Sequence, residues 1–138
     1  MSSALISIKP VHVKNILSGN KTVEIRTRNM LLPIGSTLWI YSTLPAGKIE
    51  AIAEIDFIDT KSPSTIWRKH KEFICISKKM FDTYTHGRKE VTAIGLKNIE
   101  AAQNNLCLKA LRKIDENFMP PQFFLKITPD KKIYPAFA

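Results

Sequence analysis

The chain has 138 residues, 44% of them hydrophobic and 24% charged, which excludes long disordered segments and suits a single domain over residues 1–138. It carries 21 lysines and arginines against 12 acidic residues, so the net charge is +9, which favours an anionic partner such as nucleic acid or a nucleotide over a positive surface without a specific partner. The sequence contains no apolar run of transmembrane length and no signal-peptide pattern, so we expect a cytoplasmic protein without membrane contact.

The first part of the chain predicts a strand, a helix and three further strands. Residues 4–9 alternate apolar and polar side chains, as a half-buried strand does. A short helix follows, because Pro10 suits a helix start and Gly19 suits a helix end. Residues 22–28 and 37–43 are rich in β-branched and aromatic side chains. The next strand, over residues 48–59, has an apolar inner face made of Ile49, Ala51, Ala53, Ile55 and Phe57.

The second part predicts two helices, a strand, a short helix and a last strand. Ser62 and Ser77 are each suited to cap the start of a helix. In the second helix an apolar stripe of Met80, Phe81 and Tyr84 is expected to face the core. Strands follow near residues 90–100 and at the end of residues 116–127. This order predicts an α+β domain built on a small barrel or a strongly curved sheet.

Most common catalytic and cofactor motifs are missing from the sequence. It contains no phosphate-binding glycine loop, no dinucleotide fingerprint, no zinc-ligand spacing and no nucleophile elbow. Cys75 and Cys107 lie far apart among apolar neighbours, which favours two buried free thiols. His12, His70 and His86 are isolated, and His70 lies in a basic helix, where we expect it to be solvated. We therefore predict no metal and no cofactor, which leaves binding modules and metal-independent hydrolases.

One short strand carries an unusual concentration of charge. Glu24 and Arg26 are two residues apart, so their side chains project from the same face of the strand. A carboxylate accepts hydrogen bonds from base amino groups, and arginine donates to phosphates or base edges. Strand alternation would turn Lys21 toward the apolar face, unless it lies in a turn made by Gly19 and Asn20. The alternative is a solvent-exposed ion pair that stabilises the fold only weakly.

Residues 19–26, "GNKTVEIR", resemble the G-x-K-x-x-E-x-R signature of ASCH domains, a family of the PUA-like superfamily. The flanking text is also similar to that family, in the same order along the chain. The similar segments are "SIKPVHVKNILSG", "LWIYSTLPAGKIEAIAEI", "SPSTIWRKH", "ISKKMFDTYTHGRKEVTAIGLKNI" and "PPQFFLKI". The resemblance covers about residues 4–128, which we expect to be the core of the domain.

The resemblance implies a PUA-like small β-barrel with helices packed beside it and a basic cleft lined by the signature. Carried over to this chain, the cleft-lining residues are Lys21, Glu24 and Arg26. Their expected neighbours in ligand binding are Lys9, Ser42, Thr43 and Gln122. The family is associated mostly with RNA or other nucleic acid, so the resemblance implies a module that binds nucleic acid, RNA first, or a modified nucleotide.

Two other functions stay open. Some ASCH proteins resemble metal-independent hydrolases, and in a ribonuclease Lys21, Glu24 and Arg26 would serve as general acid, general base and phosphate clamp. The branch that hydrolyses N4-acetylcytidine has a threonine nucleophile three residues after the lysine. In this chain Glu24 occupies the position three residues after Lys21, and Thr22, next to Lys21, projects in a different direction. We therefore do not assign the amidohydrolase activity to this chain. The third possibility is a protein-interaction or regulatory module, for which the sequence identifies no partner.

Overall fold

A computed structural model describes residues 2–103 and 106–137, and its elements follow the predicted order. The strands are β1 (Ser3–Ile8), β2 (Val23–Arg26), β3 (Thr37–Ser42), β4 (Lys48–Lys61), β5 (Val91–Ala101) and β6 (Phe124–Lys126). The helices are α1 (Pro10–Leu17), α2 (Pro63–Ile74), α3 (Lys78–Thr85) and α4 (Leu108–Ile114), with a final 3-10 turn at Tyr134–Ala136. None of the described helices is both long and apolar enough to span a bilayer.

The strands form one curled, half-barrel sheet in the order β2-β5-β4-β3-β1-β6. Strands β1 and β3 run parallel, and the other neighbours are antiparallel. Strands β2 and β6 are the two edges, and within the described residues no backbone pairing joins them. The sheet therefore remains open along a seam between its ends. The α+β class with a strongly curved sheet and adjacent helices confirms the prediction.

Serine hydroxyls start the two central helices as predicted. The Ser62 Oγ accepts a hydrogen bond from the Thr65 backbone N–H at 3.4 Å, and the Ser77 Oγ accepts one from the Met80 backbone N–H at 3.1 Å. Each bond satisfies a backbone donor that has no partner inside the helix. Pro63 occupies the first turn of α2, where its missing N–H costs nothing. These caps define where α2 and α3 begin, and the two helices follow β4 in the chain.

Three apolar clusters hold the layers together. The first joins the inner faces of β1, β3 and β4 to α1, and the second packs α4 and the C-terminal segment against the opposite face. The third packs α2 and α3 over β2 and β5, and its buried members are Val23, Ile25, Ile66, Ile74, Phe81, Val91 and Ala93. Burying one large apolar side chain stabilises a fold by roughly 1.5–3 kcal/mol. The third cluster thus fixes β2, the strand that carries the charged signature.

The predicted inner face of β4 is confirmed for Ala51, Ala53 and Ile55, which are buried in the first cluster. Ile49 is also buried, but it belongs to the second cluster on the opposite face, because the pairing of β3 with β4 shifts register between Ile40 and Tyr41. The pairing of β4 with β5 then shifts register between Ile55 and Phe57. A bulge of this kind interrupts the alternation of side chains. Phe57 accordingly joins the third cluster, where its ring stacks on His70 with centroids 5.2 Å apart.

Two expectations about the helices were wrong. Of the predicted stripe on α3 only Phe81 is buried, whereas Met80 and Tyr84 are 54% and 47% exposed, because the helix turns Phe81 and Thr85 toward the core. These two pairs lie on adjacent stripes of a short helix, and an apolar pattern does not separate such stripes. His70 is buried rather than solvated, and its Nε2 lies 2.8 Å from the Asp59 carboxylate. Cys75 and Cys107 are free, as predicted, but only half-buried.

Candidate functional site

A cleft of about 430 Å³ lies along the seam of the sheet. One side is made by Ser7 and Ile8 at the end of β1 and by Lys9. The edge strand β2 contributes Glu24, Ile25 and Arg26. The remaining lining residues come from the loop after β3, from α3 and from the segment before β6, and they are Thr43, Tyr84, Pro120, Pro121 and Gln122.

Arg26 spans this seam. Its Nη2 donates a hydrogen bond of 2.7 Å to the backbone carbonyl of Ser7 on β1, although β1 and β2 are not neighbours in the sheet. The same guanidinium donates from Nε at 3.2 Å and from Nη2 at 2.9 Å to Oε2 of Glu24. A planar guanidinium with bonds on two sides has a fixed orientation. Arg26 therefore presents a positioned cation at the cleft.

Glu24 lies between two cations. Its Oε2 accepts from Arg26, and its Oε1 lies 3.3 Å from Nζ of Lys21. Lys21 precedes β2 in the turn where Gly19 has a φ of +87°, so strand alternation does not set its direction, as the sequence predicted. The ammonium also donates a 2.7 Å hydrogen bond to the carbonyl of Ile74, the last residue of α2. The carboxylate is thus held in place from both sides.

The predicted site residues fall into two groups. Lys9, Glu24, Arg26, Thr43 and Gln122 line the cleft. The side chains of Lys21 and Ser42 do not reach its surface, because they are 2% and 0% exposed. Lys21 lies beneath Glu24. Ser42 is the last residue of β3, and its buried Oγ has no partner among the described residues.

Sequence reasoning missed Tyr84 as a cleft residue. Its ring is about half exposed at the cleft, and burial raises the pKa of its hydroxyl, with the Glu24 carboxylate adding to the rise and Arg26 and Arg88 opposing it. The hydroxyl is therefore protonated at neutral pH and can donate a hydrogen bond. The sequence pattern does not signal this position, because Tyr84 and Arg26 are brought to the same cleft only by the tertiary fold.

His12 on α1 lies close to the same charges without lining the cleft. Burial lowers the pKa of its imidazole, and the positive charge of Lys21 lowers it further. Its Nδ1 is buried and has no hydrogen-bond partner among the described residues. The lowered pKa favours a neutral imidazole behind the cleft, so the fixed cations of the site are the lysines and arginines.

In the part of the chain that the structure describes, the side chains suited to bind a metal do not gather in one place. Across residues 2–103 and 106–137, no three histidine, cysteine, aspartate or glutamate side chains form a group that could hold a metal ion. The charged groups at the cleft are dominated by Lys9, Glu24 and Arg26. Lys9 and Arg26 can donate hydrogen bonds to an anion while Glu24 accepts a hydrogen bond from an amino group.

The chain is similar in sequence to proteins of a known family. The family described as domain of unknown function DUF365 matches residues 6–119. An ASCH domain-containing ribonuclease from Zymomonas mobilis is 32% identical over 119 residues, which cover 86% of this chain and 80% of that relative. The chain belongs to the ASCH domain family.

Solved ASCH structures share the whole fold. The crystal structure of ASCH from Zymomonas mobilis superposes with a TM-score of 0.89 at 28% identity, covering 98% of this chain and 94% of that one. A tyrosine-to-phenylalanine mutant of the same protein superposes with a TM-score of 0.90 at 28% identity, covering 99% and 96%. The predicted ASCH fold is thus confirmed over nearly the full length of the chain.

Proposed function

We propose that this ASCH domain binds single-stranded RNA, or a nucleotide of it, in the cleft at the seam. The observation that carries the proposal is the oriented pair of Arg26 and Glu24 at the floor of a cleft that also contains the half-exposed ring of Tyr84. The net charge of +9 and the 32% identity to an ASCH domain-containing ribonuclease support an RNA ligand.

Each cleft residue offers a contact that a nucleotide can use. Arg26 and Lys9 donate to phosphate oxygens, and Glu24 accepts from an exocyclic amino group. Gln122 can both donate and accept, as recognition of a base edge requires. The ring of Tyr84 offers a surface on which a base stacks, a contact worth about 1–3 kcal/mol in other single-strand binding proteins. A single strand exposes its phosphates, its base edges and its base faces together, whereas a duplex buries the base edges and faces in pairing and stacking.

The test is fluorescence anisotropy with a labelled single-stranded RNA at low and moderate salt. We expect Arg26→Ala to weaken binding by about tenfold, because it removes a positioned donor, and to lower the salt slope by about one unit if the donor meets a phosphate. Arg68→Ala is the matched control, since Arg68 is exposed on α2 and does not line the cleft. Absence of RNA binding at low salt, or equal losses in the two variants, would refute the proposal.

RNA cleavage is the second candidate, favoured by the ribonuclease in the same family. In such a reaction the ribose 2′-oxygen attacks phosphorus, a cyclic phosphate forms and the bond to the 5′-oxygen breaks. Glu24 would accept the proton of the attacking hydroxyl, Arg26 would stabilise the charge on phosphorus, and Lys9 or Tyr84 would protonate the leaving oxygen. Lys21 lies beneath the cleft surface, so in this candidate it positions Glu24 instead of acting as the acid.

Cleavage is tested by incubating end-labelled RNA with the purified protein in the presence of EDTA. The expected result is cleavage of RNA but not of the same sequence with a single 2′-deoxy substitution at the cleaved position. Glu24→Gln should slow the reaction by at least a hundredfold, in line with the contribution of a general base. Cleavage at the wild-type rate by Glu24→Gln would rule out this role.

A further inference from the structure

We infer that bound RNA continues beyond the cleft onto a stacking platform formed by Arg28 and Phe123, so the ligand is a single-stranded oligonucleotide of at least two nucleotides rather than a free nucleotide. This inference rests on the proposed function and defines its ligand class. The platform lies outside the set of residues that line the cleft.

The two side chains form a layered pair. The Cζ of Arg28 lies over the ring of Phe123, 4.3 Å from its centroid, which is well within the roughly 6 Å range of a cation–π contact. Phe123 is itself supported by Phe124, with ring centroids 4.7 Å apart and planes at 74°. The guanidinium of Arg28 therefore lies at the surface with one side against the ring of Phe123.

The platform directly adjoins the cleft on both sides of the seam. Arg28 lies two residues after Arg26, and Phe123 follows Gln122, and both Arg26 and Gln122 line the cleft. Consecutive Cα atoms are about 3.8 Å apart, so the platform lies within one nucleotide's reach of the cleft rim. A strand that places one base in the cleft therefore brings its neighbour over Arg28.

The outer face of the Arg28 guanidinium is free to receive that neighbour. Arg28 is exposed, and in the described part of the chain it makes no hydrogen bond or ion pair. Guanidinium planes stack on unpaired bases of single-stranded RNA. A second exposed cation over an aromatic ring, Lys78 above Trp67, is already paired with Asp82 and presents no planar surface.

The test compares Arg28→Lys with Arg68→Lys by fluorescence anisotropy on a labelled tetranucleotide RNA. Lysine keeps the charge but lacks the planar group, so a stacking contact is lost while phosphate attraction is kept. We expect Arg28→Lys to weaken tetranucleotide binding about fivefold or more, with an unchanged salt slope, and Arg68→Lys to bind within about twofold of wild type. Competition by a mononucleotide should be equal for all three proteins.

Each other outcome has a distinct meaning. If Arg28→Lys binds the tetranucleotide as wild type does, the platform is refuted while RNA binding in the cleft stands. If Arg28→Ala alone weakens binding and lowers the salt slope by about one, Arg28 contacts a phosphate, and stacking is again refuted. If wild type binds no RNA, both the platform and the proposed function fail. Circular dichroism of each variant confirms that the fold is retained.

Discussion

Lys21 and Glu24 form an ion pair of 3.3 Å in which the lysine is almost completely buried, with 2% of its surface exposed. The same ammonium donates a 2.7 Å hydrogen bond to the carbonyl of Ile74. Lysine is rarely buried to this degree unless it is paired. Lys21 thus connects the C-terminal end of α2 to the carboxylate of the cleft, and it stabilises both the helix end and the position of Glu24.

Replacing Lys21 with methionine should destabilise the protein by about 3 kcal/mol, because Glu24 would lose a buried partner and the Ile74 carbonyl would lose its donor. The measurement is urea denaturation followed by circular dichroism. Lys14→Met, at an exposed position on α1, is the matched control and should change the free energy of unfolding by less than about 0.5 kcal/mol. Equal stability of the two variants would show that the buried ammonium does not stabilise the fold.

Replacing Tyr84 with alanine should weaken binding of single-stranded RNA about fivefold or more, while Tyr84→Phe should retain most of the affinity. The reason is that the ring supplies a stacking face, and the phenylalanine variant keeps it. Tyr84 is 47% exposed, so neither change should unfold the domain. Met80→Ala removes a side chain of similar exposure from the same helix outside the cleft, and it is the control in the same titration.

Gly95 on β5 is expected to tolerate no side chain. A Cβ at this position would lie well inside van der Waals contact with the ring of Phe57, which is stacked on His70 and has little room to move. Gly95→Ala should therefore cost about 2 kcal/mol of stability. In a Phe57→Ala background the same change should cost much less, because the obstacle is gone, and a double-mutant cycle measures the difference. Additive effects would contradict the steric explanation.

Asp59 should make the free energy of unfolding depend on pH in the acidic range. A hydrogen bond from Lys69 lowers the pKa of this carboxyl most, and bonds from His70 and Lys61 lower it further against the effect of partial burial. Because the pKa is lower in the folded state than the unfolded value of about 3.9, the stabilisation is present above that pH and is lost as the pH falls below it. Asp59→Asn should cost about 2 kcal/mol at pH 7 and flatten the decline below about pH 4.

The control for Asp59 is Asp82→Asn, which removes an exposed ion pair with Lys78 inside α3. Exposed pairs of this kind contribute about 0.5 kcal/mol or less. Urea unfolding measured from pH 7 to pH 2.5 separates the two variants. A wild-type decline in acid that persists unchanged in Asp59→Asn would assign the acid sensitivity to other carboxyl groups.

Much of the fold was predictable because its signals are local. Ser62 and Ser77 are followed by helical patterns, and both cap helices as expected. The position of Lys21 was also predictable in part, since Gly19 breaks the strand pattern and releases the lysine from alternation. What the turn could not reveal is the depth of Lys21, because that depends on the end of α2, a helix more than fifty residues away in the chain.

The wrong expectations about His70 and Tyr84 have two different causes. His70 looked solvated because its neighbours in sequence are charged, yet Phe57 and Asp59 of β4 enclose it. Tyr84 looked like core because it continues an apolar pattern, yet only Phe81 and Thr85 of α3 are buried. The local pattern predicts the type of an element, but it does not predict the rotation of a short helix about its axis.

The open seam of the sheet has a consequence for how such a domain can diversify. At the cleft, the side chains of Arg26 and Arg28 contact Ser7 and Phe123 across the seam, and among the described residues no ladder of main-chain bonds joins the two edge strands. The spacing between the walls therefore depends on the length and shape of individual side chains. Single substitutions at these positions can change the width or the charge of the cleft while the hydrogen-bonded sheet stays intact. The ligand preference of such a domain can therefore change without a change of fold.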